Sequence, residues 1–202
     1  MKTLTKILLS LILLLSWSCS KDEAVLPEGY SANIRGIISP DIFSKLTNTG
    51  MKFNPGTNPP DLSGIYVLNP FVLVADWDPN DQSDVGTVCS CNAVVRFTNQ
   101  SANKQSIHVD LKLGTGSNFT WNGYLSGEGN KFTFFVDWNG TFDGEPAQFV
   151  TVISGEISAS GLLNYYDAAY IKGKGSNSPN VLVGEFRIRF DHDGFSEPTM
   201  VF

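Results

Sequence analysis

The sequence predicts an all-β protein: an antiparallel sheet of eight strands that runs up and down and closes into a barrel. Three observations carry this reading. From residue 63 onward apolar and polar residues alternate, as they do in strands with one buried face. The breaks are short and turn-like, at Gly114-Thr115-Gly116, Gly127-Glu128-Gly129-Asn130 and Gly140 to Glu145, and short connections join antiparallel neighbours. No helix-length segment separates the later strands, which excludes a parallel α/β sheet. Eight serial strands can close and so remove their own edges. A β-sandwich is the alternative, because strands are easier to read than their topology.

The elements follow in order. Residues 1–18 read as a signal peptide. Lys2 and Lys6 form a basic start, an apolar run spans 7–15, and the small residues Ser16 and Ser18 precede Cys19. The run is about half of the ~20 residues that cross a bilayer. Residues 19–33 are polar and aperiodic and read as a tether. The β-domain is expected over 34–202, beginning with one short helix at about 40–47. Ser39 can cap that helix, Pro40 suits its first position and Gly50 stops it. Residues 54–61 hold too much Pro and Gly for regular structure.

Strands are expected at about 63–76, 92–99, 106–113, 119–125, 131–139, 148–158, 165–172 and 182–190. Pro70 kinks the first, since proline cannot donate to a ladder. In the third, Ile107, Val109, Leu111 and Leu113 face the core, and His108, Asp110 and Lys112 face water. Phe119, Trp121 and Leu125 share one face of the fourth. Phe132, Phe134, Val136 and Trp138 align on the fifth. In the eighth, Leu182, Phe186, Ile188 and Phe190 oppose Glu185, Arg187 and Arg189.

The chain holds 20 acidic and 14 basic residues. Lys2 and Lys6 leave with the signal peptide, so the mature chain is near −8. That argues against a nucleic-acid partner, which needs a basic footprint, and against electrostatic docking on anionic lipid. Besides Cys19 there are Cys89 and Cys91. They read first as two half-buried thiols, because a bridge would close a very small ring. A disulfide is the second reading, and a metal site the third, with only His108 and His192 to add nitrogen ligands.

No catalytic residue is assigned. G-x-S-x-G, H-E-x-x-H and P-loop motifs are absent from the sequence, and no cofactor is expected. Asp76, Asp78, Asn80 and Asp84 place oxygens at intervals as a calcium loop does, without the Gly and Glu of an EF-hand. They read as a weak metal candidate beside the ordinary Asx-turn explanation. Asp191-His192-Asp193-Gly194 is similar. Trp77, Tyr165, Tyr166 and Tyr170 are the candidate ligand contacts, at a barrel mouth where small molecules enter. Tyr124 and Phe135 lie opposite the core face of their strands, as rings available to stack on sugars.

Two resemblances add to this. Ser18-Cys19 after the apolar run looks like the lipobox of bacterial lipoproteins, and Ser20-Lys21-Asp22-Glu23 resembles the export signal of surface lipoproteins of the Bacteroidota. The resemblance implies an acylated Cys19 and a lipid-anchored protein of the outer membrane, exposed at the cell surface. The segment from Gly56 to Tyr66 also looks like uncharacterised Bacteroidota lipoproteins. Gly64-Ile65-Tyr66, with Tyr for the usual Trp, resembles the opening of strand one in lipocalins. That likeness implies a ligand-holding barrel in which Arg187 or Arg189 packs over the Tyr66 ring.

The expected function is a non-catalytic binding module for a small apolar or amphipathic ligand, which predicts a cavity among the strands. A glycan- or protein-binding accessory factor of an outer-membrane complex predicts a filled interior and exposed rings instead. A hydrolase needs carboxylates converging on a polar cleft. For the anchor, a radioactive fatty acid should label the wild-type chain and not Cys19→Ala; equal labelling of both would show that Cys19 is not acylated.

Overall fold

The computed structural model describes residues 26–89 and 91–202. The expected signal peptide and Cys19 lie outside them. Two helices come first, α1 (Ala32–Ile37) and α2 (Pro40–Asn48). Then follow β1 (Thr57–Asn58), β2 (Gly64–Leu68), β3 (Phe71–Asp76), β4 (Ala93–Thr98), β5 (Ser106–Leu113) and β6 (Ser117–Glu128). The chain ends with β7 (Lys131–Phe142), β8 (Glu145–Ile157), β9 (Leu162–Lys174), β10 (Phe186–Asp191) and β11 (Phe195–Thr199). The protein is all-β and antiparallel, apart from β1, which lies parallel to β6.

The strands β2, β4, β5, β6, β7, β8, β9 and β11 form a closed ring of hydrogen-bonded neighbours. β3 and β10 extend the same seam. β2 and β3 are one long strand bent at Asn69-Pro70, and β10 and β11 are one long strand bent at residues 192–194. β9 accepts both halves of the last strand along one edge, Phe186–Phe190 against Tyr166–Tyr170 and Phe195-Ser196 against Leu162-Leu163. Counted this way there are eight long strands, in the order the sequence predicts. The last one starts later than expected, at Phe186, and runs on to Thr199. The Asp191–Gly194 segment is therefore a bend within a strand and not a loop between elements.

Ser31 and Ser39 cap the helices, each accepting from a backbone N–H three residues on, that of Ile34 and of Ile42. α1 has no counterpart among the expected elements; its six residues, with Gly36, are too few to show a period. The tether is also shorter than expected. Leu26 and Tyr30 are buried, and the Arg35 guanidinium donates to the carbonyls of Leu26, Pro27 and Tyr30. The domain thus begins no later than Leu26.

Apolar side chains collect in two layers. Inside the ring, Phe97, Val109, Trp121, Phe132, Phe134 and Tyr165 pack together. Outside it, Ile34, Ile38 and Leu46 of the helical segment cover Phe135, Val152, Ala168, Phe186 and Ile188. Ile107, Val109, Leu111, Phe132, Phe134 and Val136 face the interior as the alternation predicts. Phe186 and Ile188 are buried too, but on the outer face, under the helices. The polar face of that strand, Arg187 and Arg189, is the one that turns inward. Leu182 is not on a core face at all; it is 49% exposed in the connection before β10.

β5 and β6 pair along their whole length, while β6 and β7 pair only between Tyr124–Glu128 and Lys131–Phe135. The ladder stops at Gly123, where a Cβ would strike the Phe134 ring and the Phe135 carbonyl. Beyond it Phe119, Trp121 and Trp138 fill the space between the strands. Their ring centroids lie 5.4 to 5.7 Å apart.

Two-sided burial of β7 has a direct consequence. Phe134→Ala and Phe135→Ala should each cost about 3–5 kcal/mol, although they point to opposite faces. Lys112→Ala should stay within about 0.5 kcal/mol of wild type. Urea midpoints measure all three, and a near-neutral Phe135→Ala would show that the helices do not seal the outer face.

Candidate functional site

The interior is filled at one end and open at the other. The open end holds a cavity of about 450 Å³. Alternation places Phe71 and Leu73 of β3, Ala169 and Ile171 of β9, and Arg187 and Arg189 of β10 on its wall. Phe149 of β8 adds a ring, stacked on Trp138 at 4.5 Å. Trp77, Asp84, Thr87, Cys89, Phe142 and Glu185 form its rim.

The charged part of the wall is tightly paired. Arg189 makes a two-pronged contact with Asp167, Nε to Oδ1 at 2.9 Å and Nη2 to Oδ2 at 3.0 Å. Its guanidinium also lies 5.2 Å from the Phe71 ring centre. Asp167 is 1% exposed. Burial raises its carboxyl above the ordinary range, and Arg189 pulls it part of the way back. Removing either partner would strand the other charge, at about 3–5 kcal/mol. Nearer the mouth, Arg187 Nε donates to Asp76 Oδ2 at 3.0 Å, and its Nη2 reaches Asp84 Oδ2 at 3.4 Å.

Below this level lies a second polar group. Ser196 Oγ donates to Asp191 Oδ2 at 2.6 Å. Asp191 Oδ1 and Tyr165 Oη have no partner among the described residues, and both side chains are buried. They sit on adjacent strands, one step past the Phe190–Tyr166 pair. Burial pushes the Asp191 carboxyl up to about 6, against the pull of the Ser196 hydroxyl. It raises the Tyr165 phenol as well, with Asp167 adding to the effect.

The loop after β3 runs back along that strand and brings the rim to it. Leu73 N donates to the Thr87 carbonyl at 3.0 Å, Gly86 N to the Leu73 carbonyl at 2.8 Å, and Cys89 N to the Phe71 carbonyl at 2.7 Å. Cys89 and Cys91 are joined in a disulfide, with Cα atoms 5.1 Å apart. This corrects the expectation of two free thiols. Meeting two residues apart in one bend, the thiols are already neighbours before any tertiary contact forms.

Of the four expected ligand contacts, only Trp77 reaches this cavity; it is 37% exposed at the rim. Tyr165 is buried among the interior apolar residues. Tyr166 and Tyr170 face outward: Tyr166 stacks on Phe190 at 4.3 Å, and Tyr170 lies against Phe186 with Lys45 over its ring. The tyrosines therefore do not form a mouth. Phe135 is fully buried beneath Tyr30 and Phe53, and Tyr124 is half-buried, so neither offers an open stacking face. The Tyr66 ring is not covered by an arginine either. Its hydroxyl donates to the Ser63 carbonyl, and Arg189 lies over Phe71 instead.

Arg187 of β10 and the loop's own Asn80 and Ser83 supply donors to the acidic loop. Asp76 and Asp84 are held by Arg187, Asp78 accepts from Asn80, and Asp81 accepts from Ser83. Among the described residues no group of three or more His, Cys, Asp and Glu is arranged to hold a metal. On the third strand's polar face, Asp110 is not solvated as expected. It is 5% exposed and gathers Arg96, His108 and Thr120.

A second, larger cleft of about 590 Å³ lies outside the ring, between the helical segment and β8–β9. Tyr30, Phe53, Lys52, Lys131, Glu156 and Tyr166 are among its borders. Lys131 faces Glu156 at 3.7 Å.

Sequence reasoning missed Phe71, Phe149 and Glu185 as lining residues, and expected Arg187 or Arg189 over Tyr66 where Arg189 lies over Phe71. The legible trace was the Arg-x-Arg alternation opposite an apolar face, with Asp167 on the neighbouring strand to neutralise it.

Asp191 makes a pH prediction. Its folded-state pKa of about 6 lies above the unfolded value of 3.8, so the native state binds the proton more tightly. The associated stability is complete below about pH 4 and is lost as pH rises towards about 6. Asp191→Asn should remove that slope and stabilise the domain at pH 7.5 by about 1–2 kcal/mol. Urea midpoints at pH 4.5 and 7.5 check this; a variant less stable than wild type at both would show that the carboxylate is satisfied. Compared with protein-family models, curated proteins and solved structures, the chain matches none.

Proposed function

We propose that this chain is a non-catalytic binding module that takes a small apolar or amphipathic molecule into the open end of its β-ring. In this reading it is a lipoprotein held at the outer membrane by acyl chains on Cys19, with the domain facing out of the cell. The observation that carries the binding part is the cavity at the open end of the ring. It joins aromatic and aliphatic walls, Phe71, Leu73, Phe149 and Ile171, to a few fixed polar groups. That combination is what ligand pockets share. About 450 Å³ is enough for a molecule of roughly a dozen to two dozen heavy atoms. The likeness of Gly64-Ile65-Tyr66 to the opening of lipocalin barrels agrees with this use but does not carry it.

The cavity is preferred over the outer cleft because it is set in the rigid sheet, where neighbouring strands hold each side chain. A glycan- or protein-binding factor remains the alternative, with the outer cleft and its rings as its place. A hydrolase is weaker. The interior carboxylates Asp167 and Asp191 are each tied to a neighbour, Arg189 and Ser196, below the open space.

Filling the cavity tests the reading. The wild-type domain should bind the neutral fluorescent probe N-phenylnaphthylamine with an emission rise. Ala169→Trp, on the cavity wall with Thr151 and Arg187 as its cross-strand neighbours, should abolish the rise at unchanged fold by circular dichroism. Equal binding by a folded Ala169→Trp variant would move the site elsewhere.

A further inference from the structure

We infer that the molecule taken into the cavity carries a positive charge on an apolar body, an amine or quaternary ammonium held at the rim. This deepens the proposed function and rests on the cavity being its site. The argument is a count of unspent charge. Arg189 is committed to Asp167 through both prongs of its guanidinium, and Arg187 is committed to Asp76. Each arginine's charge is thereby matched by a carboxylate, although the Arg187 side chain stays 59% exposed. On the rim two carboxylates remain. Asp84 has only the longer contact to Arg187, and the Glu185 carboxylate meets no donor among the described residues.

The surroundings deepen the negative sign. Asp78, Asp81 and Asp143 stand in the connections at this end of the ring and Glu145, which accepts from Asn180, begins β8, against Lys112 and Lys174 near the ends of β5 and β9. Lys172 is held by Asp137. Lys45 lies outside the ring, donating to the Gly184 carbonyl. Burial raises the Glu185 carboxyl, and Asp76 and Asp143 raise it further, against the pull of Arg187. An anionic headgroup would meet carboxylates there. A cation would relieve them.

Aromatic rings supply the second half of the argument. Trp77, Phe142 and Phe149 border the same opening. The faces of such rings attract cations, Trp most strongly. Deeper in, Phe71, Leu73 and Ile171 present apolar wall. A head that is cationic and a tail that is hydrocarbon therefore match the cavity from rim to floor.

Three probes of equal chain length separate the possibilities: n-decylamine, n-decanol and n-decanoate, each displacing N-phenylnaphthylamine at pH 7.5. The expected order is amine over alcohol over carboxylate. Added salt should weaken the amine and leave the alcohol unchanged. Glu185→Gln should weaken the amine about fivefold, the scale of one half-exposed charge pair, and leave the alcohol unchanged. If Glu185→Gln unfolds, Asp84→Asn is the second variant, with the same direction expected. Equal binding of all three, or tightest binding of decanoate, would overturn the charge inference and keep the cavity as the site. Failure of all three to bind would remove the site itself.

Discussion

β9 must hold two partners along one edge, and the rest of the fold depends on that seam. A sheet whose first and last strands fail to meet keeps two rows of unpaired backbone groups. Here both long end strands bend at matching places, Asn69-Pro70 in one and 192–194 in the other, and they pair again beyond the bend with the register moved by two residues. His192 N donates to the Pro70 carbonyl at 2.9 Å and pins the two bends together. The Arg189–Asp167 pair spans β9 and β10 just above this point, and Phe71 of β3 lies under the guanidinium. The most heavily buried charges of the interior are thus at the closure itself.

The helical segment decides what the seam can carry. Ile34, Ile38 and Leu46 cover the outer face of β7 to β10, so these strands find apolar cover outside the ring as well as inside. Phe186 and Ile188 take the outer cover. Their neighbours Arg187 and Arg189 then have only the interior to face. An interior with paired arginines cannot close down to a dry aliphatic core, because the ion pairs need room and their own oriented partners. The filled half of the ring, around Phe97, Phe132 and Phe134, supplies the tight packing instead.

Cavity and rim follow from the same arrangement. Short turns close the end near Gly129 and Ser160, while the long connections 77–92 and 175–185 gather at the other. A ring filled by Phe97, Phe132 and Phe134 at one end and lined by Arg–Asp pairs at the other offers an apolar space with fixed charges at its edge. Exposed Trp77, Val88, Leu182 and Val183 belong to those long connections. The apolar character of the cavity therefore continues onto the surface around it.

Much of this was readable before any coordinate. Alternation in 106–113 and 131–139 named Ile107, Val109, Leu111, Phe132, Phe134 and Val136 correctly as interior, because strands with one wet face write their burial into the sequence. The count of eight long strands and the kink at Pro70 were legible for the same reason, and so was the Ser39-Pro40 start of a helix. A period of two says that the faces differ; it does not say which is inside when both are covered. That is why the burial of Phe186 and Ile188 was legible, but not their cover by the helices, nor the inward turn of Arg187 and Arg189. The mouth was misplaced on Tyr165, Tyr166 and Tyr170 because only ring closure determines which side of β9 is the interior. The sequence by itself determined the strands, their order and their turns, all local matters of propensity and pattern. Only the tertiary structure decided the two-sided burial, the Arg189–Asp167 pairing and the cavity, since each depends on residues far apart in the chain meeting across a closed sheet.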